Sequence, residues 1–92
     1  MKYVLLGEMN ANQIERSEKR VKEAKAKLDE LSIKLEAVYY TQGEFDFVDV
    51  IDAPDPAAVL AFSIWYARQG FGRIRTMPAF SMDEMNAVIK NL

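Results

Sequence analysis

The side chains best able to do chemistry in this sequence lie in one short stretch. Tyr39 and Tyr40 precede a turn at Gly43, and Glu44 and Asp46 follow it. A carboxylate beside the tyrosines could accept a proton from a ligand bound between a sheet and its helices. In the simpler interpretation, Glu44 supplies turn geometry and Asp46 accepts local backbone or arginine hydrogen bonds. The residues alone leave both interpretations open.

Two arginines form a second candidate group. Arg73 and Arg75 alternate with apolar residues, so they share one face of a predicted strand. Together with Lys2 they could bind an anionic ligand. The alternative is that they pair with carboxylates across the sheet or across a dimer contact, at Asp46, Asp49 or Asp52.

Aromatic side chains make the third candidate. Phe62, Trp65 and Tyr66 recur at helical spacing and could line a pocket for an aromatic ligand, with Trp65 as the ligand contact. The same spacing is typical of residues that pack in a core or an oligomer contact.

The composition excludes several kinds of chemistry. The chain has no histidine and no cysteine, which removes the commonest metal ligands, the thiolate nucleophile and disulfides. Its four glycines are scattered and form no phosphate-binding loop. We therefore predict no metal and no cofactor.

The charge and hydropathy patterns bear on partners and location. A net charge of −2 predicts neither a nucleic-acid nor a membrane partner. The apolar run Tyr3–Leu6 is too short for a signal peptide, and no later run is long enough to span a bilayer. A cytoplasmic protein is expected.

Periodicity divides the 92 residues into seven elements of one predicted domain, 1–92. The predicted strands are Lys2–Met9, Ile33–Gln42, Phe45–Ile51 and Phe71–Phe80, and the predicted helices are Gln13–Leu31, Pro56–Gln69 and a short one after Ser81.

The helix boundaries have recognisable signals. Asn12 and Asp55 are expected to cap the first two helices, and Gly70 is expected just past the end of the second. Ser81 and Glu84 have the spacing of a capping box. The first helix carries an apolar stripe expected to face the sheet, formed by Ile14, Val21, Ala24, Leu28 and Leu31.

The order of elements predicts an α+β architecture. Two right-handed strand–helix–strand crossovers interleave as a ferredoxin-like βαββαβ sandwich with an added C-terminal helix and an antiparallel sheet of order 4-1-3-2. This order makes the first and third strands central, and these two are apolar on both faces. Helices in this fold cover one face only. The exposed apolar face that remains predicts a homodimer or higher oligomer, with room for a small ligand between the sheets.

The chain resembles the GYD domain family, and the similarity runs nearly end to end. It is carried by Tyr39–Val48, by 53–55, by the opening Tyr3–Leu6 and by Arg75-Thr76 with Ala79-Phe80. The Gly-x-Tyr-Asp element that names the family is matched by Gly43, Phe45 and Asp46, with phenylalanine in place of tyrosine. Ser32-Ile33 also departs from the pattern, since glycines are expected there. The resemblance implies a ferredoxin-like protein of the dimeric α/β-barrel kind without an established biochemical activity.

Two functions compete at this point. The first is a non-enzymatic oligomerising domain that binds a small ligand. The second is a cofactor-independent enzyme of the monooxygenase or isomerase type, which rests on fold analogy and has Asp46 and Tyr40 as its first candidate residues. A closed, ligand-sized cavity that holds a convergent carboxylate or arginine would favour the enzyme, whereas a cavity filled by Phe45, Phe47 and tyrosine side chains would exclude it.

Overall fold

A computed structural model describes all 92 residues. Strands β1 (Lys2–Met9), β2 (Lys34–Tyr40), β3 (Phe47–Asp52) and β4 (Gly72–Pro78) form one antiparallel sheet of order β2-β3-β1-β4. The helices are α1 (Ser17–Glu30), α2 (Pro56–Arg68) and α3 (Met82–Lys90), with a 3-10 segment, Ala11–Arg16, before α1. The ferredoxin-like architecture with an added C-terminal helix is confirmed.

The core lies between the sheet and the pair α1 and α2. β1 and β3 are the central strands, and Leu5 of β1 and Ile51 of β3 are completely buried. Twelve hydrophobic residues form one buried cluster, made of Tyr3, Leu5, Leu28, Ile33, Phe47, Ile51, Ala53, Val59, Phe62, Tyr66, Phe71 and Ile74. The strands that are apolar on both faces are thus the ones that other strands flank on both sides.

Gly7 has a specific packing role in the core. It pairs with Phe47 across β1 and β3, and the Phe47 ring occupies the space that a Cβ atom at Gly7 would need. The same ring meets Tyr66 edge-on, with 5.9 Å between ring centroids. Glycine in β1 therefore lets an aromatic side chain of β3 lie flat over the sheet and contact α2.

The ends of α2 and α3 follow their sequence signals. The Asp55 carboxylate accepts a hydrogen bond from the Ala58 N–H at 2.9 Å, and Gly70 takes a φ of 77° after the helix. Ser81 and Glu84 form the predicted capping box, with bonds of 2.9 and 3.1 Å. These predictions are confirmed.

The start of the first helix differs from its prediction. The 3-10 segment delays the α-helix to Ser17, Asn12 caps nothing, and the helix is preceded by Arg16 without a side-chain cap. The tighter winding also changes which side chains face the sheet, because a 3-10 turn holds three residues instead of 3.6. Ile14 is consequently 59% exposed, and Gln13 is buried instead.

The β2–β3 hairpin is looser than predicted. Its loop spans 41–46, closed by a 2.8 Å hydrogen bond from the Thr41 N–H to the Asp46 carbonyl, so β3 begins at Phe47. A bulge between Leu35 and Ala37 then changes the side to which the rest of β2 points. Val38 and Tyr40 therefore share the helix-covered side with Leu35, contrary to a simple alternation.

The opposite face of the sheet has no covering element. Val4, Leu6, Val48 and Val50 lie there, only partly buried. Every residue of α3 is exposed, including an apolar stripe at Met82, Met85, Val88 and Ile89, and Leu92 just past the helix is exposed as well. No helix has the length and apolar character needed to cross a membrane.

Candidate functional site

A cavity of about 280 Å³ lies between α1, α2 and the helix-covered side of the sheet. Ten of its thirteen lining residues are hydrophobic, and the other three are Arg20, Lys25 and Asp49. Its volume is close to the lower end of the range typical of small-molecule sites, about 300–1,000 Å³. The site therefore combines apolar walls with a few charged groups.

The cavity lies beneath the middle of α1, at Ala24. Leu28 is buried in the core, whereas Ala24, one turn earlier, is a small side chain over the cavity. The β2 bulge directs Val38 and Tyr40 to the opposite wall. A methyl side chain on the helix and a shifted strand together leave the space unfilled.

Arg20 is the most deeply buried charge of the protein. Its side chain is 3% exposed, and one guanidinium nitrogen donates to the Gln13 carbonyl at 3.0 Å. It forms no salt bridge. A guanidinium has five N–H donors, and arginine is rarely buried unless it is paired. Donor capacity therefore remains available at the cavity.

Asp49 lies in the middle of β3 on the same side as Phe47 and Ile51. Its partner on β1 is Leu5, and its partner on β2 is Val38, so apolar residues flank it across the sheet. The carboxylate has no hydrogen-bond or salt-bridge partner. Burial raises the pKa of Asp49 from an ordinary 3.8 to about 6, and the nearby charge of Arg20 opposes this rise.

Tyr66 brings a third polar group to the cavity. Its side chain is 2% exposed, and its hydroxyl is a buried polar atom without a hydrogen-bond partner. Burial raises the pKa of Tyr66 to about 12, so the hydroxyl keeps its proton at neutral pH. An unsatisfied buried hydroxyl costs free energy, and a ligand oxygen would remove that cost.

Arg20, Asp49 and Tyr66 have complementary chemistry. The arginine and the tyrosine donate hydrogen bonds, and the carboxylate, with a pKa near neutrality, can take up or release a proton. No group of three or more carboxylates could hold a metal ion. The arrangement suits binding and proton transfer on an organic molecule.

Of the residues predicted around the hairpin, the structure brings only Tyr40 to the cavity. Tyr39 is 65% exposed on the other side of β2, and Glu44 is exposed in the loop. The Asp46 carboxylate accepts a hydrogen bond from the Met9 N–H at 2.7 Å, which joins the hairpin loop to β1. The local role proposed for Asp46 is thus present, and a ligand role for the other residues stays a prediction.

Trp65 lies away from the cavity, in an outer groove between α2 and the end of α1. Its ring stacks on Phe62, whose side chain does line the cavity, with 5.8 Å between centroids. An aromatic-ligand role for Trp65 stays a prediction, and the geometry gives it a packing role.

The arginines of β4 lie on the open face. The Arg75 guanidinium stands over the Phe45 ring, 5.6 Å from its centroid. Neither Arg73 nor Arg75 forms a salt bridge within the chain, so the predicted pairing with carboxylates across the sheet is wrong, and a pairing across a dimer contact stays a prediction. The carboxylates and Lys2 have other partners or positions: Asp52 binds the N-terminal amine at 2.9 Å, Lys2 binds Glu36 at 3.1 Å, and Asp49 lies on the opposite face. An anion site at Arg73 and Arg75 stays a prediction.

Sequence reasoning missed Arg20 and Asp49 as site residues, although each left a signal. Arg20 stands four residues before Ala24 and eight before Leu28, which places it on the stripe that faces the sheet. Asp49 is the charged residue between Val48 and Val50 in a strand predicted to be central. A charge in such a strand is a buried polar group and therefore a candidate functional residue.

The fold and the cavity define a class of small α+β proteins with one open sheet face and one mostly apolar pocket between the sheet and the helices. The chain belongs to the GYD domain family, because the family model for the GYD domain matches residues 3–89 of its 92 residues. The suspected resemblance is therefore confirmed. No curated protein matches the sequence.

Proposed function

We propose that this protein is a homodimeric domain that binds a small organic molecule in the cavity between α1 and the sheet. One observation carries the ligand site. Three buried or partly buried polar groups, at Arg20, Asp49 and Tyr66, converge on an apolar cavity of about 280 Å³ with unused hydrogen-bonding capacity. Native proteins satisfy nearly all buried polar groups; the Tyr66 hydroxyl is a buried polar atom without a partner, and a bound ligand would supply one. The cytoplasmic location expected from the sequence stays a prediction.

A thermal-shift screen with a matched pair of variants tests the ligand site. Ala24→Phe fills the cavity from α1, whereas Ala26→Phe places the same ring on the exposed side of that helix. Compounds that bind in the cavity are expected to raise the Tm of the wild type and of Ala26→Phe but not of Ala24→Phe. The site is refuted if every stabilising compound acts equally on both variants, or if none stabilises the wild type.

A second candidate function is proton-transfer catalysis without a cofactor. The observation that favours it is the Asp49 carboxyl, whose pKa of about 6 suits a general base near neutral pH. In an isomerase-type step, Asp49 would remove a proton from a carbon next to a carbonyl. Arg20 and Tyr66 would stabilise the charge that develops on the carbonyl oxygen, and the proton would return to a neighbouring carbon.

Solvent exchange separates catalysis from binding. Each stabilising compound with a C–H bond next to a carbonyl is incubated with the protein in D₂O, and deuterium incorporation is followed by NMR. The enzyme hypothesis expects exchange with the wild type and none above background with Asp49→Asn. Equal exchange by both proteins, or no exchange by either, contradicts it and leaves the binding function in place.

The homodimer is proposed from two uncovered apolar surfaces on one small chain. The open sheet face presents Val48 and Val50, and α3 presents the stripe that includes Met85 and Ile89. Patches of this kind typically mark interaction sites. In a symmetric dimer each surface of one copy is available to the other, so a second copy would cover both.

Light scattering over a wide concentration range tests the dimer. Val48→Asp and Val50→Asp put a charge on the open face, and Ala26→Asp puts the same charge on the exposed side of α1. The wild type and Ala26→Asp are expected to be dimers, and the open-face variants are expected to be monomers or to unfold, as judged by circular dichroism. Unchanged dimers of undiminished stability for both open-face variants would contradict the proposal.

A further inference from the structure

Arg20 is a buried cation whose counterion the protein does not supply. The side chain is 3% exposed, its one hydrogen bond goes to the neutral Gln13 carbonyl, and no carboxylate forms a salt bridge with it. Burying a charge without a partner is costly. Asp49 is near enough for Arg20 to lower its pKa, yet burial has the larger effect and raises that pKa. The Arg20 guanidinium therefore has no carboxylate of the protein bonded to it.

The Tyr66 hydroxyl adds a donor to the same space. It is buried, has no acceptor in the protein, and stays protonated at neutral pH because burial raises the pKa of Tyr66 to about 12. Arg20 belongs to α1 and Tyr66 to α2, and both line the cavity. The two helices thus present hydrogen-bond donors to a space whose walls are mostly hydrocarbon.

The charges that line the cavity favour an anion. Arg20 and Lys25 are cations, and Asp49 is the one acid in the lining. With Asp49 ionised these groups sum to one positive charge, and with Asp49 protonated they sum to two. A cationic ligand would meet an arginine, whereas a small anion would meet donors and a favourable potential.

We propose that the cavity takes a small apolar monoanion, whose carboxylate or similar oxyanion accepts hydrogen bonds from Arg20 and Tyr66 while its hydrocarbon body fills the apolar walls. This inference rests on the proposed ligand site and specifies the chemistry of its occupant. Such a ligand gives Arg20 its missing counterion and Tyr66 its missing acceptor. It also places a negative charge near Asp49, so binding above about pH 6 is accompanied by proton uptake on that carboxyl.

Matched acid and amide probes test the inference directly. Phenylacetate is compared with phenylacetamide, and 4-methylpentanoate with 4-methylpentanamide, in NMR chemical-shift titrations at pH 7.5. Each pair differs in charge and hardly in shape. The acid of at least one pair is expected to bind about ten- to a hundredfold more tightly than its amide, the range for a hydrogen bond to a charged group.

Variants assign the preference to its donors. Arg20→Met keeps a long apolar side chain and is expected to abolish the preference, and Lys22→Met, on the exposed side of α1, is expected to preserve it. Tyr66→Phe removes a hydroxyl that bonds to nothing in the protein, so it should fold, and it is expected to weaken acid binding by a larger factor than amide binding, because the bond to a charged acceptor is the stronger one. If Arg20→Met does not fold, Tyr66→Phe and the pH titration decide the question.

The pH titration tests the link to Asp49. The charged and titratable groups that line the cavity with Asp49 are Arg20 and Lys25 from α1, Tyr40 from β2 and Tyr66 from α2. Among these, Asp49 is the one expected to change charge between pH 7.5 and 5.5, since its pKa is about 6. Acid binding should therefore strengthen several-fold over that interval, and Asp49→Asn should remove the dependence.

Three kinds of result would overturn the inference or part of it. Equal binding of acid and amide, or a preference that survives in Arg20→Met or is untouched in Tyr66→Phe, rejects the anion but leaves the proposed ligand site. An affinity for acids that is independent of pH in the wild type rejects the role of Asp49. Binding of no probe at millimolar concentration, together with no stabilising compound in the screen, rejects both the inference and the ligand site.

Discussion

Replacing Asp49 with asparagine should stabilise the protein, and by an amount that depends on pH. In the folded protein the pKa of Asp49 is about 6, compared with an ordinary 3.8 expected for the unfolded chain. The folded state therefore holds the Asp49 proton more tightly. Stability contributed by this group is highest below pH 3.8, falls as the pH rises towards 6, and levels off above about pH 7.

The magnitude follows from the two pKa values. The difference between 3.8 and about 6, at about 1.4 kcal/mol per pKa unit, gives about 3 kcal/mol of destabilisation when Asp49 is fully ionised. At pH 4 the same linkage gives roughly 0.5 kcal/mol, because the unfolded carboxyl is then only partly ionised. Asparagine is neutral at both pH values. The gain from Asp49→Asn should thus be about 2 kcal/mol larger at pH 7.5 than at pH 4.

Urea denaturation at one protein concentration measures this difference. The wild type, Asp49→Asn and Asp29→Asn are unfolded at pH 4 and at pH 7.5, and Asp29 is the control because it is an exposed aspartate of α1. Asp29→Asn is expected to change the free energy of unfolding by the same small amount at both pH values. If Asp49→Asn also shifts stability equally at the two pH values, the carboxyl is not held in an apolar site and the reasoning about the cavity fails.

Two further substitutions test the packing around the site. Gly7→Ala forces the Phe47 ring from its place over β1. It should lower the free energy of unfolding by about 1–3 kcal/mol in the same urea assay, which is the cost typical of overpacking. A loss below about 0.5 kcal/mol would show that the ring moves freely. Asp46→Ala removes the acceptor of the Met9 N–H and should cost about 1–3 kcal/mol. Asp46→Asn, which keeps an acceptor oxygen, should cost less, and equal losses for the two Asp46 variants would contradict the hydrogen-bond explanation.

The sequence predicted the sheet well because the relevant information is local and redundant. Several independent signals indicate the same order and boundaries of the helices and strands. They are the apolar residues on both faces of β1 and β3, the cap at Asp55 and the capping box at Ser81. Neither the order of the strands nor the position of the hairpin depends on a single residue. Agreement between independent signals is what made the architecture predictable.

The surroundings of the cavity were not predictable to the same degree, because two small backbone irregularities affect them. The 3-10 segment before α1 buries Gln13 and leaves Ile14 exposed, and the bulge after Leu35 turns Tyr40 to the helix-covered side of the sheet. Neither irregularity has a strong sequence signal, since both depend on how the chain packs once the sheet has formed. Periodicity assigned the right elements, and it assigned the wrong face at Ile14 and after the bulge in β2.

The exposure of α3 has a consequence for how the structure of the protein depends on its concentration. None of its nine residues is buried, and isolated helices shorter than about 12–15 residues are marginal in water. If a second copy supplies the missing contact, then ordering of the C-terminal segment and association of the chains are one equilibrium. Dilution would unfold α3 while leaving the sheet folded. A protease would therefore cleave the C-terminal segment at low protein concentration but not at high protein concentration. The rate at which proteases cleave the C-terminal segment would then depend on the concentration of the protein.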